Sequence, residues 1–377
     1  MKIGVMTHWW SKDNYGQQLQ CYAMQKYLRD SGHDAYLIRY NANKDYIPTP
    51  IWKKIPKALN PIKLYEFLAY KKRVILNAKD TRNDERKFED FRAKHIKQSE
   101  KVYYYYEDLR AKPPEADIYI VGSDQVWNPS YLPSVERQGR AFFLDFGDQS
   151  TKRISYAASF GKEKLDNSFI NVITPLLQKF NYVSVREKSG LNICKQCGIN
   201  NAEWVPDPTM LLEADVYRTL YENEPLKKTD ERYCFLYYLG NKCDVSVKTV
   251  YAWAKKKNLT VIYVSANSQI DKYKKTYATI PEWIYLLEHA EYVITNSYHC
   301  GIFSLIFEKK FGIMPLSGTH VGMNSRFESL FEQLKTGKRF LDSEFSILDK
   351  KIDWQSVSKK IQVLRESCKL FEYSIEV

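Results

Sequence analysis

Short apolar runs alternate with amphipathic stretches along nearly the whole chain, and that alternation confines it to α/β architectures whose parallel sheets are covered on both faces. Lys2–Thr7 reads as a buried strand and His8–Gly16 as a loop, after which Leu19, Tyr22, Ala23 and Tyr27 recur at helical spacing. Gly32 stands where a helix C-terminus takes a left-handed residue, and Ala35–Arg39 is the next strand. Strands are expected again at Asp117–Val121, Arg153–Ala157 and Tyr182–Val185. Beyond Pro206-Asp207-Pro208, where proline disfavours helix, they recur at Tyr233–Leu239, Thr260–Val264, Tyr292–Thr295 and Phe311–Met314, with helices at Val247–Lys257 and Cys300–Lys309. At 377 residues the chain exceeds one ordinary core, so the expectation is two Rossmann-like domains with parallel sheets facing across a cleft. The first spans 1–205 with a basic helical insertion at about 43–101. The second spans 206–377, its last helix in a position to pack back on the first.

The net charge of +12 favours anionic partners: phosphorylated metabolites, nucleic acid or an acidic membrane face. Much of the excess lies between Lys53 and Lys101, interleaved with Trp52, Leu64, Tyr65, Phe67, Leu68 and Tyr70. That pattern suits a solvated helical insertion, or a face meeting anionic lipid headgroups. Tyr103–Tyr106 reads as a strand with one side buried. The scattered, odd set of seven cysteines, a start without signal-peptide features and no run near ~18 apolar residues point to a cytoplasmic protein. Peripheral contact with the inner face of the membrane fits the basic segment.

Open α/β domains bind ligands at the carboxyl ends of their strands, so strand-end loops are the candidates for chemistry. Asn14-Tyr15-Gly16 precedes the first helix, where Gly16 permits close approach and the helix N-terminus offers N–H groups to an anion; the plain alternative is an ordinary turn. Ser123, Asp124 and Gln125 follow a strand and suit a hydroxylated ligand or a helix cap. Arg186 ends another strand and offers a planar fork to carboxylate or phosphate, or an ion pair to Glu187. Asn296, Ser297 and His299 lie between a strand and a helix, where His299 suits acid–base work or a structural role. Cys194-x-x-Cys197 lacks a second close pair to complete a metal site, and Cys300, opening an apolar helix, reads as packing rather than as a nucleophile. The aromatic share of 15% suits sugar stacking as well as packing.

Together, in order, these segments resemble the polysaccharide pyruvyltransferase family: Asn14-Tyr15-Gly16 with Leu19-Gln20, Asp117 to Asn128, Ile154 to Gly161, Ser184 to Glu187, Asp207-Pro208-Thr209, and Thr295 to His299 with Phe303-Ser304. The segment before Lys101 and the tail after about Phe340 are poorly covered. The resemblance implies a GT-B-like fold with phosphoenolpyruvate bound in the cleft and roles for Arg186 and His299. Some members carry an Arg two residues before that His, where this chain has Ser297; Arg326, in Asn324-Ser325-Arg326-Phe327, is the candidate to replace it. The implied reaction builds a pyruvate ketal on a sugar. Arg186 and Arg326 hold the donor, His299 moves protons, and the Asn14 loop and Ser123 to Gln125 hold donor or sugar. The expected acceptor is a lipid-linked oligosaccharide, with no metal or cofactor and no nucleic acid partner. The rivals are a nucleotide-sugar glycosyltransferase of the same fold and a non-enzymatic basic module for nucleic acid or acidic membranes.

Overall fold

The computed structural model describes residues 1–41, 85–132, 134–226, 229–240, 242–267, 269, 271–368 and 375. Most of the basic insertion therefore lies outside the described residues, including its membrane-facing candidates Trp52, Leu64, Tyr65, Phe67, Leu68 and Tyr70. The first sheet has seven parallel strands: β1 Lys2–Met6, β2 Asp34–Tyr40, β3 Gln98–Tyr103, β4 Ile118–Gly122, β5 Lys152–Ala158, β6 Tyr182–Val185 and β7 Glu203–Trp204, in the order β3-β2-β1-β4-β5-β6-β7. The second has four: β8 Tyr233–Tyr238, β9 Thr260–Ser265, β10 Tyr292–Thr295 and β11 Lys310–Ile313, in the order β11-β10-β8-β9. Every pairing between them is parallel.

The central strands are largely apolar because helices cover both faces: Ile3, Val5 and Met6 of β1 have no solvent exposure. The helices used below are α1 Tyr15–Asp30, α2 Phe88–His95, α3 Asn167–Leu177, α4 Lys188–Gln196, α5 Val247–Lys256, α6 Ile280–Glu288, α7 Tyr298–Ile306, α8 Ser325–Leu334 and α9 Trp354–Ser367. α6 opens on a capping box in which Thr279 and Glu282 each satisfy the other's backbone N–H. Arg365 of α9 donates to the carbonyls of Met210 (2.7 Å) and Leu212 (2.7 Å), and Cys368 beyond it packs with Ile3 and Val5 under the first sheet.

Two local expectations are corrected. Gln98–Tyr103 is an edge strand inside the segment expected to be helical, paired to β2 through Arg39↔Val102 and Tyr40↔Tyr103. Nor does the tyrosine run continue as a strand: Tyr106 starts a short helix, and its hydroxyl donates to the Asp145 carbonyl at 2.6 Å, turning the chain away from the sheet edge.

Strand order reverses at β1 in the first sheet, which opens a crevice at the carboxyl ends of β1 and β4. β8 lies between β9 and β10 in the second sheet, and the carboxyl ends of β8 and β10 face the first sheet across aromatic packing. Tyr15, at the start of α1, stacks on Trp283 of α6 at 5.4 Å and meets Tyr237 of β8 edge-on at 5.5 Å. The Tyr15 hydroxyl donates to the Ala278 carbonyl at 2.6 Å. One aromatic cluster thus fixes how the sheets face each other. Truncating Trp283, which has no exposure, empties the centre of that cluster. Trp283→Ala is expected to lose about 3–5 kcal/mol in urea unfolding; a loss below ~1 kcal/mol would show that the cluster does not bear the domain contact.

Candidate active site

The crevice centres on a carboxylate that the sequence marks as a domain junction and as part of the family resemblance, but not as a site residue. Asp207 is fixed between Pro206 and Pro208, whose rings restrict the backbone on both sides, and it is completely buried. Its Oδ1 accepts from Thr209 N (3.0 Å) and Thr209 Oγ1 (2.7 Å). Its Oδ2 accepts from Ser123 Oγ (2.6 Å) and Arg186 Nη1 (2.9 Å), and lies 3.3 Å from His299 Nε2. One oxygen therefore gathers groups from β4, β6 and α7. Ser123 donates to this carboxylate instead of capping a helix.

Arg186 follows β6 directly, and its backbone N–H extends the ladder to the Ala158 carbonyl. Its Nη1 also donates to Ser123 Oγ at 3.2 Å and lies 3.5 Å from His299 Nε2. Its Nε and Nη2, although buried, make no hydrogen bond among the described residues. Glu187 is turned to the other side, where it accepts from Ser159 Oγ (2.9 Å) and Gly161 N (3.0 Å) instead of forming the surface ion pair considered from the sequence. The Tyr298 ring receives two guanidinium groups, Arg186 at 4.5 Å and Arg326 at 5.6 Å. Arg326, on α8, is buried and spends only Nε on protein among the described residues, donating to the Met323 carbonyl at 3.2 Å.

His299 stands in the first turn of α7, which Ser297 caps by accepting from Cys300 N. Its ring rests against Gly16 at the start of α1, where an added Cβ would come 2.4 Å from His299 Nδ1. The absent side chain thus makes room for an imidazole from the other domain.

Burial alone would raise the Asp207 pKa, but the charge and hydrogen bond of His299, the Arg186 charge and the Ser123 hydroxyl outweigh it and hold the carboxyl far below its ordinary value. Asp124 is lowered in the same way, with burial opposed by the hydrogen bond and charge of His8 and then by His299 and Arg186. Burial depresses Arg326, and the like charge of Arg186 depresses it further. In Arg186 the same desolvation is overcome, chiefly by Asp207.

The remaining sequence candidates divide. Asp124, in the left-handed region at φ 64°, accepts from Gln125 N at 2.8 Å and lies 3.4 Å from His8 Nδ1. Gln125 accepts from Asn128 Nδ2 at 2.7 Å beside Gly161, within the loop. Asn14 caps α1 by accepting from Gln17 N, so its side chain takes the ordinary-turn role. Tyr15 is committed to the interdomain core. Asn296 accepts from Leu239 N at 2.8 Å and orders the loops after β8 and β10. The structure therefore gathers Arg186, His299, Ser123, Asp124, Gly16 and Arg326, while the side chains of Asn14, Tyr15, Gln125, Asn296 and Ser297 serve caps, loops and core. Sequence reasoning misses Asp207, Tyr298 and His8 as site residues. A signal for Asp207 exists in the chain: a carboxylate immobilised between two prolines. Burial raises the Cys300 thiol pKa, and raises that of Cys194 to about 12, so neither is a ready thiolate.

The polysaccharide pyruvyl transferase family model matches residues 14–316. Among solved structures, the UDP-GlcNAc 2-epimerase of Methanocaldococcus jannaschii is 12% identical with a TM-score of 0.49, covering 97% of this chain and 93% of that one. That of Neisseria meningitidis is 9% identical at 0.42, covering 97% and 99%. The wall teichoic acid polymerase TagF is 12% identical at 0.44, covering 97% and 84%. No curated protein matches the chain.

Two outcomes follow from this geometry. Asp207→Asn leaves the Arg186 charge buried without its counter-ion and is expected to cost about 3–5 kcal/mol at neutral pH. Because Asp207 and Asp124 titrate below the unfolded value of ~3.9, their stabilisation is complete above that pH and is lost as pH falls through it towards their folded values. Wild-type stability should therefore fall on the acid side, and that of Asp207→Asn less steeply, in urea titrations across the range. Parallel curves would show that Asp207 is not held ionised.

Proposed function

The chain belongs to the polysaccharide pyruvyl transferase family, and from that premise we propose that it transfers the enolpyruvyl unit of phosphoenolpyruvate to two hydroxyls of a hexose in a polysaccharide precursor, forming a pyruvate ketal and releasing phosphate. The observation that carries this reading is the Arg186 guanidinium, buried with Nε and Nη2 unmatched, next to Arg326 on the same tyrosine ring. Buried donors without partners are costly, and a carboxylate or phosphate of the donor would satisfy them. Both charges stand in place before the substrate arrives, the arrangement that best stabilises charge developing as phosphate departs.

His299 serves as the acid that protonates the methylene carbon, C3, which becomes a methyl. Its contact with Asp207 orients the ring that gives up that proton. A sugar hydroxyl adds to the central carbon, C2, as it loses its own proton. The C2–O(phosphate) bond then breaks with its electron pair going to phosphate, and the second hydroxyl closes the ring and releases its proton with the phosphate. Ring closure requires both hydroxyls within reach of C2, so the acceptor must be gripped as firmly as the donor. We further propose a lipid-linked acceptor at the inner membrane face, in keeping with the basic 53–101 segment; among the described residues no helix is long and apolar enough to cross a membrane.

Phosphate release from phosphoenolpyruvate, with and without a panel of lipid-linked and aryl hexosides, tests the reading. Acceptor-dependent release is expected, with mass spectrometry showing a ketal in place of two hydroxyl protons. His299→Gln should lower kcat by about 10²–10⁴-fold. Arg186→Lys should lower kcat/KM for phosphoenolpyruvate by about 10²-fold. A melting temperature raised by nucleotide sugars but not by phosphoenolpyruvate would overturn the proposal in favour of a glycosyltransferase.

A further inference from the structure

A second histidine–carboxylate pair stands beside the first, Asp124 following the Ser123 that bonds Asp207, and the mechanism above leaves it idle. His8 follows β1 and Asp124 follows β4, the two strands between which the order of the first sheet reverses. His8 Nδ1 lies 3.4 Å from Asp124 Oδ2, with both side chains about nine-tenths buried (10% and 11% exposed). Asp124 is held in its left-handed conformation by its carbonyl, which accepts from Ser159 N, and Gln17 Nε2 approaches its Oδ2 at 3.5 Å. His8 Nε2 makes no hydrogen bond among the described residues.

The surroundings of His8 are aromatic. Its ring stands edge-on to Phe142, which is fully buried beneath it, and to Trp10, each at 5.1 Å, and to Tyr131 at 6.5 Å. Trp10 is half-buried and Tyr131 is 49% exposed, so both rings reach solvent beside the buried histidine–carboxylate pair. Tyr131 also faces Arg326 and Gln125, so it bridges towards the proposed donor site. Besides His8, the groups that act on Asp124 include His299, Arg186 and Arg326. Amphipathic rings with solvent access, next to one oriented acid–base pair, form the kind of surface that takes the apolar face of a sugar while reading its hydroxyls.

We propose that the loops after β1 and β4 form the acceptor-sugar subsite: Trp10 and Tyr131 are its stacking faces, and His8, oriented by Asp124, takes the proton of the attacking hydroxyl. This rests on the pyruvyl-transfer reading for its chemistry, but not for its sugar binding. The hydroxyl O–H bond breaks towards His8 Nε2 and the oxygen pair forms the bond to C2. The C2=C3 pair takes the proton of His299. When phosphate leaves with the C2–O pair, the second hydroxyl adds to C2 and its proton goes with the phosphate; His8 then returns its proton to solvent and His299 regains one. Two imidazoles let the hydroxyl and the methylene carbon be served from different directions, which a single ring in the His299 seat, packed on Gly16, does not offer.

The test is calorimetric titration of methyl α- and β-glycosides of glucose, galactose and mannose into the full chain, alongside the phosphate-release assay. Wild type should bind at least one glycoside saturably. Trp10→Ala and Tyr131→Ala should each weaken it about tenfold, and Trp10→Phe should restore affinity to within about threefold. His8→Gln should keep sugar affinity but lose about 10²-fold in kcat, with the thermal shift by phosphoenolpyruvate unchanged. Circular dichroism melting of each variant separates misfolding from lost contact. Unchanged affinity in Trp10→Ala and Tyr131→Ala, no glycoside bound by wild type, or normal turnover in His8→Gln would overturn the assignment. If sugar binds through Trp10 but phosphoenolpyruvate is never consumed, the transfer reaction falls while the subsite stands; if ketal forms at the wild-type rate in Trp10→Ala and His8→Gln, the reverse holds.

Discussion

A single buried carboxylate organises the crevice. Asp207 Oδ2 meets the Arg186 guanidinium at 2.9 Å and the His299 imidazole at 3.3 Å, and these come from different domains. Bringing such charges out of water is expensive, and their mutual attraction offsets the cost only where the remaining lone pairs are filled. Here Ser123 and Thr209 fill them, and the flanking prolines limit the conformational freedom that the carboxylate would otherwise lose on folding. The interdomain geometry has little latitude as a result, because any rotation of one sheet against the other would pull His299 away from Asp207 or press it into Gly16.

That rigidity sets the conditions for the rest of the crevice. Arg186 and Arg326 share Tyr298, and repulsion between them contributes to the depressed pKa of Arg326. Two like charges are held together with donors unspent, and that arrangement is what supports the proposed anionic donor there. Arg186, straight after β6, and Arg326, on α8, thus flank Tyr298, while the loops after β1 and β4 carry His8, Asp124 and the half-open aromatic rings. The proposed transfer from an anionic donor to a hydroxylated acceptor would use that difference in chemistry.

Much of this architecture is legible in the chain's own patterning. Strand positions such as Tyr182–Val185 and Tyr292–Thr295 agree residue for residue, because largely buried parallel strands leave short, mostly apolar runs rich in β-branched and aromatic residues. Arg186 and His299 are legible as site residues because a long polar side chain straight after such a run has few places to go except the crevice. The edge strand Gln98–Tyr103 is not legible: with only one neighbouring strand, its exposed positions carry Glu100 and Lys101, and its pattern resembles that of a polar helix. Asp207 reads as punctuation because proline dominates its local signal, and nothing local reveals which partners a carboxylate will meet.

The sequence by itself determined the α/β class, the parallel sheets and the strand ends that could bear chemistry, since those follow from the period of hydrophobicity and from local backbone preference. Only the tertiary structure decided which strand ends meet. Ser123 and Arg186 lie 63 positions apart, and Arg186 and His299 lie 113 apart. It alone showed that Tyr15 belongs to the core, that Gly16 makes room for an imidazole rather than for a ligand, and that His8 has a carboxylate beside it. Short-range patterning encodes each element, but contacts between distant elements depend on how whole sheets pack, and no single stretch of chain carries that information.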